Sequence, residues 1–227
     1  MNPIQDYYDK LAHQYDVDRF ENSYGRYIDD LERDILKTWL QDTSPNRVLD
    51  IGCGTGRFLN FAMTGIDMSA EMLSVAAKKF PQHRLVQTRL PELSNLCDRQ
   101  YQSAICFHVF MHCDPHLIAK SIRAIAQVVQ RGGTLILDIP SQHRRALNKL
   151  HSRPLGWHAN TAARYSDVKA WAGTEWRIVE RRGILFVPIH RLPAFSRPLF
   201  KRIDALIGRT PLARFSSYHV YRLERLH

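Results

Sequence analysis

Between residues 48 and 59 the chain reads VLDIGCGTGRFL, and this stretch constrains the fold more than any other. Val48, Leu49 and Ile51 make a short apolar run around Asp50, as in a strand buried on both faces, and the run ends at Gly52, Gly54 and Gly56. Glycines let the backbone turn sharply and let a ligand come close, because no Cβ blocks the approach. A second carboxylate stands at the end of the next short strand, Gly65-Ile66-Asp67. There it can accept both hydroxyls of a ribose.

The rest of residues 47–139 alternates in kind. A helix is expected from Arg57, then a strand MTGID, then a helix capped by Ser69 and stopped at Phe80-Pro81. RLVQT and YQSAICF read as strands. Asp114-Pro115 starts a helix lined by Ile118, Ile122, Ile125 and Val129, which Gly132-Gly133 are expected to end. TLILDI is a further buried strand. This order implies an α/β fold with a parallel sheet and helices on both sides. Residues 1–44 read as helical up to Pro45. Beyond Pro140 come a short basic helix, a loop-like stretch, a helix at SDVKAWAG, strand-rich WRIVERRGILFVPIH, an amphipathic helix SRPLFKRIDALIG and a last strand YHVYRLERL.

The glycine spacing separates three ligands. A nicotinamide site wants G-x-G-x-x-G, and a phosphate loop wants G-K-[ST], whereas this chain has G-x-G-x-G followed by Arg57-Phe58. A nucleoside without a pyrophosphate, S-adenosylmethionine, fits the loop with Asp50 before it and Asp67 after it.

These residues resemble the class I S-adenosylmethionine-dependent methyltransferases, in the broad group that includes the ubiquinone/menaquinone methyltransferases. VLDIGCGTG is similar to that family's first motif, GIDMSAEML to its second and RGGTLILDIP to the segment ending in its fifth strand, and YYDKLAHQYD resembles its N-terminal lid. The resemblance covers roughly residues 5–140. It implies a Rossmann-like, doubly wound, seven-stranded and mostly parallel sheet. It also implies a helical lid over 1–44, a methyltransferase domain over 45–227 and a substrate-covering insertion at about 141–172. By the same resemblance Asp50 and the loop Gly52, Cys53, Gly54 and Gly56 hold the methionine part. Asp67 holds the ribose, and Met68 packs on the adenine or simply opens a helix. The family often has an acid near the adenine amine, and here Thr88 or a backbone carbonyl must substitute. Only eight residues separate Gly56 from Gly65, so the first helix should be short.

Two cysteines and three histidines crowd into CFHVFMHCDPH, residues 106–116. The spacing is not one used by metal sites, and no metal is expected. Cys106 reads as a small buried residue, and nothing supplies Cys113 with a base. The stretch is the exit of the fourth strand, where ligands bind in open parallel sheets. Phe107, His108, Met111 and His112 should therefore border the reactive methyl, with Phe107 toward the cofactor. His112 is the first candidate for a base or an orienting group and His108 the second; the alternative is that both only line the pocket or cap the helix. Candidates for substrate contact are Tyr15 in the lid, Met111, Trp157 in the insertion, and His190 at a strand end.

The 227 residues carry a net charge of +10, and its placement is uneven: residues 1–140 sum to −2 and residues 141–227 to +12. This is either a solvated basic face or a surface for an acidic partner: a phosphorylated substrate, an anionic membrane or a nucleic acid. The helix RPLFKRIDALIG either packs on the sheet edge or rests on a membrane surface. No stretch reads as a secretory leader or a bilayer span, and the four cysteines have no disulfide spacing, so a cytoplasmic setting is expected. The expected activity is methyl transfer to oxygen of a small molecule, lipid or glycan precursor, and the basic last third suits an anionic one. RNA methylation and non-catalytic cofactor binding are the alternatives, with nucleic acid disfavoured because no RNA-binding module or NPPY-type tetrapeptide is present.

Overall fold

The computed structural model describes residues 3–96, 98, 100–147, 161–189 and 192–227. Among them seven strands form one sheet: β1 (Val48–Ile51), β2 (Thr64–Asp67), β3 (Arg84–Gln87), β4 (Tyr101–Cys106), β5 (Val129–Pro140), β6 (Trp176–Ile184) and β7 (Tyr218–Arg225). Their order is β3-β2-β1-β4-β5-β7-β6. The first five are parallel, and β7 runs antiparallel to both of its neighbours. The chain leaves β1 toward one edge and returns to β4 on the other side, so the topological switch lies between Ile51 and Cys106. Ligands bind outside the carboxyl ends of strands at such a point.

Side chains alternate along each strand and feed two cores. On one face Leu49, Ala104, Leu135 and Tyr221 meet the apolar side of α5 (Pro115–Val128) and α7 (Tyr165–Ala172). On the other face Val48, Ile105, Ile136 and Val220 meet α3 (Ser23–Trp39). Helix α3 buries Leu31, Ile35, Leu36 and Trp39 there, each worth about 1.5–3 kcal/mol. It therefore lies firmly on the sheet, although it also buries the carboxylate of Glu32. Helix α4 (Ala70–Lys79), capped by Ser69 as expected, closes a smaller cluster with Cys53 and Leu59. The other α-helices among the described residues are α1 (Pro3–Leu11), α2 (Tyr15–Phe20), α6 (Gln142–Leu147) and α8 (Arg197–Ile207).

Two expectations are corrected. Residues 57–61 form no α-helix. Turns closed by Leu59 N–H to Gly56 O, Phe61 N–H to Phe58 O and Ala62 N–H to Leu59 O carry the chain back to the start of β2. Turns of this i→i+3 kind rise about 2.0 Å per residue against 1.5 Å for an α-helix, so they span more with few residues. Nor do Gly132-Gly133 end α5. The helix stops at Val128 and β5 begins at once, with Tyr101 paired to Val129 and Ser103 to Thr134. The intervening residues bulge. Gly132 takes φ +71°, and a Cβ on Gly133 would lie 2.7 Å from Gln102 O.

The helical region 1–44 is broken into three helices. Asn22 caps α3 by accepting from Tyr24 N–H and Gly25 N–H. Helix α2 doubles back so closely that a Cβ on Gly25 would stand 1.8 Å from Arg19 O. Among the described residues no helix is long and apolar enough to cross a membrane. Gly25→Ala should push α2 off α3 and cost about 1–3 kcal/mol, read as a lower denaturation midpoint.

Candidate active site

The glycine loop leaves β1 with three left-handed residues: Gly52 at φ +70°, Gly54 at +53° and Gly56 at +92°. Gly52 donates to Ile66 O at 2.8 Å, and a Cβ there would strike Val109 at 2.3 Å. A Cβ on Gly54 would meet nothing within 4 Å, because that residue faces open space. Gly54 N–H donates to Asp67 Oδ2 and Ser69 N–H to Asp67 Oδ1, both at 2.9 Å. The Asp67 carboxylate is thus fixed by backbone, and each oxygen keeps a lone pair for a ligand hydroxyl. Burial nevertheless raises its pKa. Gly52, Gly54, Asp67, Met68, Thr88 and Phe107 all border one cavity of about 170 Å³.

Asp50 lies behind the loop, 2 % exposed, beside a smaller adjoining cavity that Cys53 and Phe107 also line. Burial pushes its carboxyl up to about 7, with Asp67 adding and Arg57 opposing. Its Oδ2 has no hydrogen-bond partner among the described residues. A buried carboxylate oxygen left unpartnered is costly unless a ligand meets it. An ammonium group at Asp50, hydroxyls at Asp67 and backbone approach at Gly54 together match an amino-acid-bearing nucleoside, so these residues fit S-adenosylmethionine.

His108 follows β4 with φ +60°, unusual for a residue with a side chain, and its N–H donates to Asp138 Oδ1 at 2.6 Å. Its ring stands between two buried carboxylates, with Nε2 2.8 Å from Glu32 Oε1 and Nδ1 3.4 Å from Asp138 Oδ2. Burial alone would lower the pKa of His108, but Glu32 and Asp138 outweigh it and raise the value, which favours the imidazolium form. Arg57 reaches Glu32 at 2.6 Å and stacks on Phe58 and Phe20. Glu32, His108 and Asp138 approach closely enough to ligate a cation. Here the imidazolium and the guanidinium already supply the positive charge that the two acids require.

Helices α1 and α2 close the front. The Tyr8 hydroxyl lies 2.9 Å from His112 Nε2, and its pKa is raised by burial. Thr55 Oγ1 donates to Asp16 Oδ1 at 2.6 Å, Lys79 pairs with Asp16 at 2.7 Å, and Ser69 Oγ donates to Asp9. Beyond Tyr8 lies another cavity, bordered by Arg19, Phe20, Tyr24, Met111 and Tyr218. Tyr8, Tyr15, His108 and His112 line both this cavity and the one at the glycine loop.

The structure brings Asp50, Gly52, Cys53, Gly54, Asp67, Met68, Thr88 and Phe107 to the loop side, and Tyr15, His108, Met111 and His112 to the dividing wall or beyond. Gly56 borders none of these cavities; its φ and its contact with Phe80 make it a turn residue. The Thr88 hydroxyl is spent on Glu92 O at 2.6 Å, so Thr88 offers a wall more than a donor. Cys106 is fully buried, and burial, with Asp114, pushes the Cys113 thiol up to about 11. Trp157 and His190 lie outside the described residues. Sequence reasoning missed Tyr8, Glu32, Arg57 and Asp138. Glu32→Gln should leave Arg57 and His108 with one acid each, Asp29 and Asp138, and cost about 3–5 kcal/mol in urea unfolding, and the His108 pKa read by NMR should fall.

Residues 49–137 match the family described as Methyltransferase domain. An uncharacterised protein of Methanocaldococcus jannaschii is 33% identical over 140 residues, 60% of this chain and 51% of its own length. A trans-aconitate 2-methyltransferase of Rhodopseudomonas palustris is 29% identical over 130 residues, 54% of this chain and 47% of its own. The chain thus spans about half the length of these curated relatives. The crystal structure of magnesium protoporphyrin IX methyltransferase from Synechocystis with bound S-adenosylhomocysteine superposes with a TM-score of 0.66 at 18% identity, covering 98% of each chain. Residues 49–137 thus match a methyltransferase domain, and the chain around them has the fold of this solved S-adenosylhomocysteine-bound methyltransferase.

Proposed function

We propose that this chain is an S-adenosylmethionine-dependent methyltransferase that methylates an oxygen of a small acceptor with an apolar body and an acidic group. The observation that carries this reading is the wall of Tyr8, Tyr15, His108 and His112 shared by the two cavities. It lets one ligand on the loop side face a second ligand across a few side chains. Relatives named trans-aconitate 2-methyltransferase support a small acceptor. The cofactor supplies a methyl group already activated on a positively charged sulfur.

The chain's own task is then to orient and to manage a proton. Asp50 pairs with the ammonium, Asp67 accepts the ribose hydroxyls, and Met68 packs on the base together with Leu90, which also lines the loop-side cavity. Arg19, beside the second cavity, meets the acceptor's acidic group, while Phe20, Tyr24 and Tyr218 pack on its body. His112 would accept the acceptor's hydroxyl proton as that oxygen takes the methyl group, the cofactor's sulfur leaving as a neutral thioether. His108, held as a cation between Glu32 and Asp138, is a positioning residue for this wall and not the base.

Incubating the protein with cofactor labelled in the methyl group and a fractionated cell extract identifies the acceptor; label entering no small-molecule fraction would sink the proposal. His112→Ala should lower kcat by about 10²–10⁴ while cofactor affinity stays within about twofold. The Asp50 carboxyl, raised to about 7, must ionise to pair with an ammonium. Affinity for S-adenosylhomocysteine should therefore be full above about pH 7 and fall up to about tenfold per pH unit below it, measured by calorimetry. A flat profile would remove Asp50 from the binding step.

A further inference from the structure

Helix α8 packs on the rest of the protein through one side. Tyr27 on α3 donates to the buried Asp204 at 3.1 Å, Phe186 N–H donates to the same carboxylate at 2.7 Å, and Lys201 pairs with Asp30 and Asp34. Arg197 donates to Ser23. The other side is bare. Phe195, in the turn leading into the helix, is 87 % exposed, Leu199 62 %, Leu206 69 %, and Leu212 just beyond the helix 51 %.

These residues do not scatter. Leu199, Arg202 and Leu206 fall at steps of three and four on one stripe of α8, and Phe195 and Arg209 continue that spacing just beyond its two ends. Large apolar side chains in a row on a surface mark a contact site. Across residues 192–217 the charges are Arg197, Lys201, Arg202, Arg209 and Arg214 against Asp204 alone, and that acid is buried. Arg202 and Arg209 on the stripe have no acidic partner among the described residues. A row of leucine and phenylalanine interleaved with unpaired arginines complements a surface that is apolar below and anionic at its rim. A second protein copy would set these arginines against one another.

We propose that α8, with Phe195 and Leu212 at its ends, docks the protein on the surface of an anionic lipid bilayer. Phe195, Leu199, Leu206 and Leu212 enter the headgroup–acyl boundary, and Arg202 and Arg209 meet lipid phosphates. The packed side of α8, opposite the docked face, is fastened to Ser23 and Tyr27, and the neighbouring Tyr24 and Ile28 line the second cavity, so the docking helix stands beside that cavity. An acceptor held in the membrane would then have a short path to the site.

The test is co-sedimentation of the full chain with phosphatidylcholine vesicles, with and without phosphatidylglycerol. Binding should appear only with the anionic lipid and weaken several-fold between about 0.05 and 0.5 M salt. The double variant Leu199→Glu/Leu206→Glu should bind at least about tenfold more weakly. These side chains are exposed, so the variant should keep wild-type affinity for S-adenosylhomocysteine, which shows it is folded and separates this result from the fate of the methyl-transfer reading. No binding to anionic vesicles, or equal binding by the variant, overturns the proposal. So does a concentration-dependent dimer by light scattering that the same variant abolishes, since the face would then belong to a second copy.

Discussion

The site depends on one buried ionic contact, the His108 ring held between Glu32 and Asp138. Burial pushes the Glu32 carboxyl upward, yet Arg57 and His108 overcome this and hold it at about 2. For Asp138 burial prevails over His108, and its pKa is raised. Two carboxylates so close cannot both ionise without cations between them. Such a cluster adds little net stability, because desolvation offsets most of the attraction. What it does is tie three separate elements to one point. Glu32 comes from α3, Asp138 from β5, and His108 from the turn after β4, bent into a left-handed conformation that Asp138 holds by accepting its N–H.

From that point the rest is set. The β4 exit carries Phe107 to the loop-side cavity and His112 to Tyr8. Arg57, the first residue after the glycine loop, ties that loop to α3 through Glu32 and Asp29. Helix α3 in turn supports α2 at Gly25 and α8 at Tyr27. Ligand geometry, lid position and the outer helix therefore share one support.

Much of this was legible in the sequence, and the exceptions have physical causes. The strands of 47–139, the loop with Asp50 and Asp67, and the caps at Ser69 and Asp114 were readable because each rests on local rules: apolar runs, glycine, and side chains that accept from the next turn. The helix after Arg57 was overestimated because propensity says nothing about how far few residues must reach. The end of α5 was displaced because a glycine pair reads alike as a helix stop and as a bulge. Glu32 and Asp138 escaped notice since their meaning arises only when α3 crosses the end of β5. A signal existed in each case: an acid inside the apolar stripe Ile28, Leu31, Ile35, Leu36, and an acid inside the apolar strand TLILDI. Tyr8 stood in a stretch already recognised as a lid, but one helix of unknown tilt does not say which of its tyrosines faces inward.

The N-terminal helices are fastened by side chains that touch the ligand cradle itself: Asp16 to Thr55 of the glycine loop, Asp9 to Ser69 beside Asp67, and Tyr8 to His112. These contacts lie along the front of the loop-side cavity, which Tyr8 and His112 line. On the methyl-transfer reading proposed above, loosening them to discharge the spent nucleoside would be the natural timekeeper of turnover.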